Sequence, residues 1–181
     1  MAIDAIARLN DETSHSIMQD RLFRDELRHW MRLSKNHPNW SSDGLNATAL
    51  GLSAFEATGA RFALSTPLFE FLDRVGVGSS LTAEAQKTRS SHYIAAFHRP
   101  ENEHPLISGE AFYEMWLMLT SYGQAAWPMA ALADDPDANT EVCRLMGVPE
   151  QQRLINVVRV GPLPNHTPTK ARLTSTDLID V

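Results

Sequence analysis

The chain has 181 residues, of which 43% are hydrophobic and 21% charged, and its formal net charge is −6. These values fit one ordinary globular domain, and they argue against long disorder and against nucleic-acid binding, which requires a clustered basic face. No stretch approaches the roughly 18 consecutive apolar residues of a membrane span, and the first residues lack the apolar core of a signal peptide, so we expect a cytoplasmic protein without membrane contact.

Residues 1–16 are polar and weakly patterned, which predicts a short N-terminal arm or a frayed helix. Helical spacing of apolar residues begins at Ile17 and stops at His37-Pro38. We therefore predict that the main domain covers residues 17–181.

The stretch from residue 39 to residue 85 reads as a lid or an insert within that domain. Its pattern predicts helices over residues 47–57 and 67–75 and a short helix over 79–87. The segment Ala60–Leu64 between the first two could form a short strand.

The second half of the chain mixes strands and helices. Residues 91–98 are strand-like, and Ser108 is a suitable N-cap for a helix whose wide apolar stripe ends at Gly123 and implies deep burial. A further helix is predicted from Asp135-Pro136 to Gly147. The β-branched run Leu154–Val160 predicts a central strand. These elements do not alternate strictly, which indicates an α+β fold.

Two groups of residues suit metal or nucleophile chemistry only weakly. His92, His98 and His104 are evenly spaced, but no cysteine or carboxylate cluster completes a tetrahedral set, so we predict no metal site. Cys143 cannot form an internal disulfide because it is the only cysteine. A structural thiol is favoured over a nucleophile there, since no neighbour offers an activating base.

Two other segments suit a bound cofactor. Small residues flank a rigid, apolar turn at Trp127-Pro128 within Gln124–Ala131, which would let backbone amides approach a flat ring, although a packed helix-to-loop junction is the more common explanation of such a pattern. Lys170 and Arg172 lie two residues apart on an extended segment, so both side chains project to the same side. They could grip a phosphate together, or form a solvated basic tail.

The order of these elements resembles the nitroreductase superfamily. The resemblance covers about residues 90–180 and rests on five segments: Tyr122-Gly123, Ala125–Ala131, Met146-Gly147-Val148-Pro149-Glu150, Val157–Gly161 and Lys170-Ala171-Arg172. Upstream segments around Arg24–Leu33, Asp43–Ala47 and Lys87–Ser90 are most similar to the second half of the duplicated, Acg-like nitroreductase proteins.

The resemblance implies a nitroreductase-like α+β fold, with a central, mostly antiparallel sheet flanked by helices. It implies FMN as cofactor and NAD(P)H as co-substrate, with hydride transfer to a nitroaromatic, a quinone or a similar acceptor. Lys170 and Arg172 would neutralise the flavin phosphate, and backbone groups around Trp127, Pro128, Met129 and Ala130 would line the ring or its N5 edge.

The resemblance also bears on partners. The family's Arg-Ser-x-Arg and Pro-Ser-x-x-Asn-x-Gln-Pro elements do not occur in this chain. A flavin site would therefore be completed by a second copy in a homodimer or by a missing N-terminal half. The alternative is a non-catalytic nitroreductase-like half that acts as an assembly or flavin-sequestering module.

Overall fold

The structure is a computed structural model that describes residues 2–163 and 171–179. The chain divides into two compact units, one with residues 2–17 and 82–163 and the other with residues 18–81 and 171–179. The residues predicted to form an arm or a frayed helix lie in helix α1 (Ala2–Gln19), where Ile6 and Ala7 are buried. The predicted domain bounds and the lid role of residues 39–85 stay predictions.

A three-stranded antiparallel sheet organises the first unit. Its strands are β3 (Tyr93–Pro100), β4 (Gln124–Pro128) and β5 (Gln152–Pro162), in the spatial order β3-β5-β4. Strand β5 is therefore central, as its β-branched run predicts. The register of β3 on β5 shifts between Phe97 and His98, which pair with Asn156 and Leu154 and leave Ile155 without an opposite residue.

The buried pattern of β5 explains its position. Val157 and Val158 are completely buried although they point to opposite faces, and Val160 is buried as well. A strand that is covered on both faces needs a nearly continuous apolar run rather than alternation. The prediction of an α+β fold with an antiparallel sheet and flanking helices is confirmed.

Helices pack around this sheet and enclose the core of the unit. They are α6 (Ala85–Ser90), α7 (Pro105–Ser121), α8 (Ala131–Asp134) and α9 (Pro136–Met146). Helix α9 begins and ends as predicted, with the Asp135 side chain accepting from the Ala138 amide at 2.9 Å and Gly147 in the left-handed conformation at φ 68°. The core cluster comprises Ile6, Met129, Leu132, Ala138, Val142, Leu154 and Val157.

Helix α7 differs from the prediction at its start and in its burial. It begins at Pro105, and His104 rather than Ser108 is the N-cap, with its Nδ1 accepting from the Leu106 amide at 3.3 Å. The deep burial expected of its apolar stripe against a sheet is not found, and burial against a partner helix stays a prediction. The residues facing the sheet are only half-buried because the three-stranded sheet covers one side of the helix; they are Ala111, Phe112, Met115, Trp116 and Leu119.

A polar network holds the first turn of α7 to the ends of β3 and β5. Arg99 Nε donates to Glu103 at 2.7 Å, and Ser108 Oγ donates to the same carboxylate at 2.8 Å. Arg153 Nη2 donates to the Glu103 carbonyl at 3.1 Å and to Ser108 Oγ at 2.9 Å. The hydrogen bond from Arg99 lowers the pKa of the Glu103 carboxyl to about 2, with a further contribution from Ser108.

This network predicts a pH-dependent stability. Because the folded pKa of Glu103 lies below its ordinary value of 4.5, the contribution of Glu103 to stability is fully present above pH 4.5 and is lost as the pH falls toward about 2. We expect Glu103→Gln to lower the thermal midpoint at pH 7. The difference in thermal midpoint between the variant and the parent protein should become smaller as the pH falls from 4.5 to 2. Thermal unfolding followed by circular dichroism measures both, with the exposed Glu110→Gln as the matched control. A difference that stays constant over this range would contradict the prediction.

The second unit is built mainly from short helices. They are α2 (Arg21–Trp30), α3 (Ala54–Ala63), α4 (Thr66–Arg74) and α5 (Gly78–Thr82), the last of which ends at the border of the first unit. Strands β1 (Met31–Arg32) and β2 (Leu45–Asn46) form a two-residue parallel pair. A four-residue helix, α10 (Ser175–Leu178), lies near the end of the described chain. Among the described residues, no helix is both long and apolar enough to cross a membrane.

Two predictions in this unit are corrected. Ala60–Leu64 is not a strand, because Ala60 to Ala63 continue helix α3 and Leu64 is its C-cap. The predicted helix over residues 47–57 begins only at Ala54, where Ser53 and Glu56 form a reciprocal capping box. The predicted helix over residues 67–75 is confirmed as α4.

An arginine lies at the centre of the second unit's packing. Arg24 is 2% exposed, and its guanidinium lies 4.6 Å from the centre of the buried Phe69 ring. Its Nη1 donates to the carbonyls of Met18 at 2.6 Å and Gln19 at 2.9 Å. The cation therefore closes the end of α1 and packs its stem with the apolar residues Met18, Leu64 and Phe69.

Candidate functional site

The four residues predicted to line a flavin ring form the end of β4 and the turn into α8. Trp127 and Pro128 are the last residues of the strand and are opposite Arg159 and Val158 of β5. The Met129 amide continues the pairing by donating to the Val157 carbonyl at 2.7 Å. The segment is therefore a strand end fixed on the central strand, rather than the apolar turn that the sequence suggested.

The four side chains differ in what they offer to a ligand. Trp127 is 41% exposed, whereas Met129 is 3% exposed and belongs to the core. The Met129 carbonyl accepts from the Leu132 amide, and the Ala130 carbonyl accepts from the Ala133 amide. Pro128 has no amide hydrogen. Trp127, Pro128 and Ala130 are thus exposed, and Met129 supports them from the core side.

Arg159 lies beneath Trp127 and is the most notable charged residue of the sheet. It is 8% exposed, and its guanidinium carbon lies 5.3 Å from the centre of the Trp127 ring. Its Nη2 forms an ion pair with Glu84 Oε2 at 2.8 Å, and its Nη1 donates to Thr88 Oγ1 at 3.5 Å. A buried cation is therefore neutralised and stacked directly behind an exposed aromatic ring.

Glu84, the carboxylate of this pair, is also held by Lys87 and Asp11. Glu84 Oε1 accepts from Lys87 Nζ at 3.1 Å, so the two oxygens serve two different cations. Asp11 of α1 accepts from the Glu84 amide at 2.8 Å and from the Ala85 amide at 3.3 Å, which caps the start of α6. Glu84, Thr88 and Arg159 are consequently positioned together by α1, α6 and β5.

Arg172 belongs to the second unit, whereas Trp127–Ala130 belong to the first. Arg172 is exposed; its amide donates to the Ser41 carbonyl at 3.0 Å and its Nη1 to the Ala171 carbonyl at 2.8 Å. Lys170 lies outside the described residues. The joint phosphate contact of Lys170 and Arg172 stays a prediction.

Cys143, His98 and His104, which were considered from the sequence, contact neighbouring residues of the fold. Burial raises the pKa of the Cys143 thiol, and the side chain packs against the first unit's core, which disfavours the nucleophilic thiolate. His98 Nδ1 lies 2.8 Å from Gln152 Oε1, and His104 caps α7. Within residues 2–163 and 171–179, no group of three or more histidine, cysteine or carboxylate side chains could hold a metal ion.

Sequence reasoning missed the cluster of Glu84, Thr88 and Arg159. A signal was available, because Arg159 interrupts the otherwise apolar run Val157–Val160, and a charge on a buried strand requires a partner. The identity of the partner was not available, since Glu84 precedes Arg159 by 75 positions and nothing in the local pattern links them.

Comparison with known proteins gives one structural likeness. No protein-family profile matches the chain, and no curated protein is similar in sequence. A crystal structure of a mutant of NfnB, an FMN- and NADPH-dependent nitroreductase from a Sphingopyxis strain, is similar in chain path, with a TM-score of 0.45 and 16% identity. The likeness covers 97% of this chain and 74% of that one. At this level it supports no conclusion about family or activity.

Proposed function

We propose that this chain is an FMN-dependent oxidoreductase of the nitroreductase type, which uses NAD(P)H to reduce a nitroaromatic, a quinone or a similar acceptor. The observation that carries the proposal is the order of elements in the second half of the chain. An apolar helix ends before Gly123, a strand of small residues follows, a helix ends at Gly147, and the central strand β5 comes next. The sequence resemblance requires the same order.

The strand β4 has the chemistry that a flavin ring needs. It is an edge strand of the sheet within the described residues, so backbone groups on its outer side remain available to the hydrogen-bonding edge of a ring. Ala125 and Ala126 would permit close approach. Gln124 Oε1 is buried without a hydrogen-bond partner in the described part of the chain, and a ring N–H would satisfy such an acceptor.

In this proposal the protein binds and orients while the cofactor reacts. Bound FMN would supply hydride acceptance and donation. Trp127 would offer an apolar face to a planar ligand, and Arg159 behind it would hold the indole in place. Glu84 would offset the charge of Arg159 behind this face. No side chain is required as a general acid or base.

The phosphate contact is the part of the proposal that substitution tests most simply. We expect the double variant Lys170→Gln/Arg172→Gln to bind FMN at least about tenfold more weakly, because two charge-assisted contacts are removed. FMN fluorescence quenching measures the affinity, and Arg74→Gln, an exposed arginine of the second unit, is the control. Unchanged affinity in the double variant would remove both residues from the site.

We also propose that the functional form is a homodimer that uses the outer face of α7. Leu106, Tyr113 and Leu117 lie at i, i+7 and i+11, which places them on one stripe, and they are 77%, 65% and 52% exposed. Met118 and Tyr122 are exposed beside them. Exposed large apolar side chains on one helix face are typical of a protein-protein contact, and Glu110 and Glu114 lie among them on this face. A second copy would also supply flavin contacts that this chain lacks.

Light scattering after size-exclusion chromatography tests the dimer. We expect the protein to elute at twice the mass of one chain and Leu117→Glu to elute as a monomer, because a buried charge on the stripe would be left without a partner. Leu22→Glu, at a leucine that is 79% exposed in the second unit, is the matched control and should remain dimeric. A monomeric parent protein, or a dimeric Leu117→Glu variant, would contradict the use of this face.

The alternative is a non-catalytic, nitroreductase-like half that acts in assembly or in flavin sequestration. One observation favours it. Met129 and Ala130 use their backbone carbonyls, and Met129 its side chain, within the first unit, so the ring contacts of this chain are fewer than the resemblance implies. Flavin binding without reduction by NAD(P)H would select this alternative.

A further inference from the structure

An open cleft in the second unit is lined by two arginines and by other hydrogen-bond donors. It has a volume of about 440 Å³ and lies between the end of α2, the loop after β1 and the end of α3. Arg28 and Arg61 line it from the two helices, and Ser34 and His37 line it from the loop. None of the described residues that line it is acidic.

The loop is held by its own hydrogen bonds, which fix its backbone and the ring of His37. The His37 amide donates to the Ser34 carbonyl at 2.9 Å, and the Trp40 amide donates to the His37 carbonyl at 3.0 Å. His37 Nδ1 accepts from the Asn39 amide at 3.1 Å. In the neutral imidazole, an accepting Nδ1 leaves Nε2 as the N–H donor. His37 can therefore donate toward a ligand.

The two arginines are differently engaged. Arg28 Nη1 lies 3.7 Å from Asp25, a weak and exposed contact on the same helix, and Asp25 is shared with Arg21 at 3.8 Å. Arg61 forms no ion pair within the described residues, and it also lines an adjacent cleft that contains Lys35 and, among its described lining residues, no carboxylate. Both cations thus retain most of their capacity to bind an anion.

We propose that this cleft binds a small anionic ligand that carries an apolar body. Arg28 and Arg61 would hold the anionic group, since guanidinium groups match carboxylate and phosphate oxygens with paired donors. Met31 and Leu64, which also line the cleft, would contact the apolar part. The volume suits a ligand of metabolite size. The site is distinct from the proposed flavin site, because none of the described residues that line the cleft is among the residues proposed to contact the flavin.

Isothermal titration calorimetry on the full chain, without FMN or NAD(P)H, tests the proposal with three probes. Phenyl phosphate carries both the anion and the apolar body, inorganic phosphate only the anion, and benzylammonium the same body with the opposite charge. We expect phenyl phosphate to bind most tightly, inorganic phosphate more weakly and benzylammonium not at all. We also expect binding of phenyl phosphate to weaken at high salt.

Substitutions then place the site. Arg28→Gln and Arg61→Gln should each weaken phenyl phosphate binding about tenfold, since each removes hydrogen bonds to a charged group, while Arg74→Gln should bind as the parent does. All three arginines are exposed, and unchanged thermal midpoints will establish that the variants are folded. Absence of phenyl phosphate binding, equal binding of benzylammonium, or parent-like binding in both variants would overturn the proposal. So would a loss of binding in Arg172→Gln alone, because that result would move the anion to the proposed flavin phosphate contact.

Discussion

Replacing Leu132 with alanine is expected to lower the free energy of unfolding by about 2–5 kcal/mol, the usual range for a fully buried leucine. Leu132 is completely buried and packs with Ile6, Val142 and Val157 in the core of the first unit. Helix α8 has only four residues, so its position depends on this one side chain more than on its own hydrogen bonds.

Urea denaturation followed by circular dichroism measures this effect. Leu22→Ala provides the matched control, because Leu22 is 79% exposed and its truncation should cost less than about 0.5 kcal/mol. We also expect faster amide exchange at Met129, whose amide donates to the Val157 carbonyl across the strand end that Leu132 supports. If Leu132→Ala lowers the free energy of unfolding as little as the control does, the described core is contradicted.

The second large effect is expected at Arg159. Arg159→Ala should lower the free energy of unfolding by about 2–3 kcal/mol, because it removes the packed arginine stem and leaves Glu84 without its closest cation. The lower part of the range for a broken buried pair applies because the Glu84 side chain is 26% exposed and water can reach it. The indole of Trp127 would lose the cation that lies 5.3 Å from its centre.

A double-mutant cycle separates these contributions. The combined variant Arg159→Ala/Glu84→Gln should lose less free energy of unfolding than the two single variants lose together. The reason is that the double variant no longer contains a Glu84 carboxylate without its cation. Arg159→Lys should fall between the parent and Arg159→Ala, because an ammonium keeps the charge but cannot pair with Glu84 and Thr88 at once. Additive single effects would indicate that Arg159 and Glu84 do not interact.

The sequence predicted the elements whose signals are local. Asp135, Pro136 and Gly147 mark the ends of α9 by capping, restricted φ and positive φ, and each of these operates within a few residues. The β-branched run of β5 predicted its central place because only a strand covered on both faces tolerates it. Strand β3 and helix α4 follow from similarly local patterns.

The errors come from competing local signals and from tertiary contacts. The short run Ala60–Leu64 suits a strand by its apolar content, but the capping box of Ser53 and Glu56 starts a helix that continues through it. Ser108 suits an N-cap, yet Pro105 begins α7 a turn earlier and the Ser108 hydroxyl instead donates to Glu103. The shallow burial of α7 depends on the number of strands in the sheet. The helical periodicity of the sequence does not predict that number.

The candidate site was predicted in part. Trp127 was singled out because small residues surround it, and it is the exposed aromatic at the end of β4. Met129 was included through the family resemblance, which concerns its backbone; its side chain is in the core, and the ring contact stays a prediction. Arg28 and Arg61 could not be associated from the sequence, because only the tertiary fold of the second unit brings them to one cleft.

The absorbance spectrum of the purified full chain tests the proposed function most directly. After incubation with FMN and removal of free cofactor, we expect a yellow protein with a flavin band at about 450 nm. Addition of NAD(P)H without oxygen should bleach this band, and a nitroaromatic or quinone acceptor should restore it. A colourless protein that retains no FMN at any concentration tested would contradict the proposal.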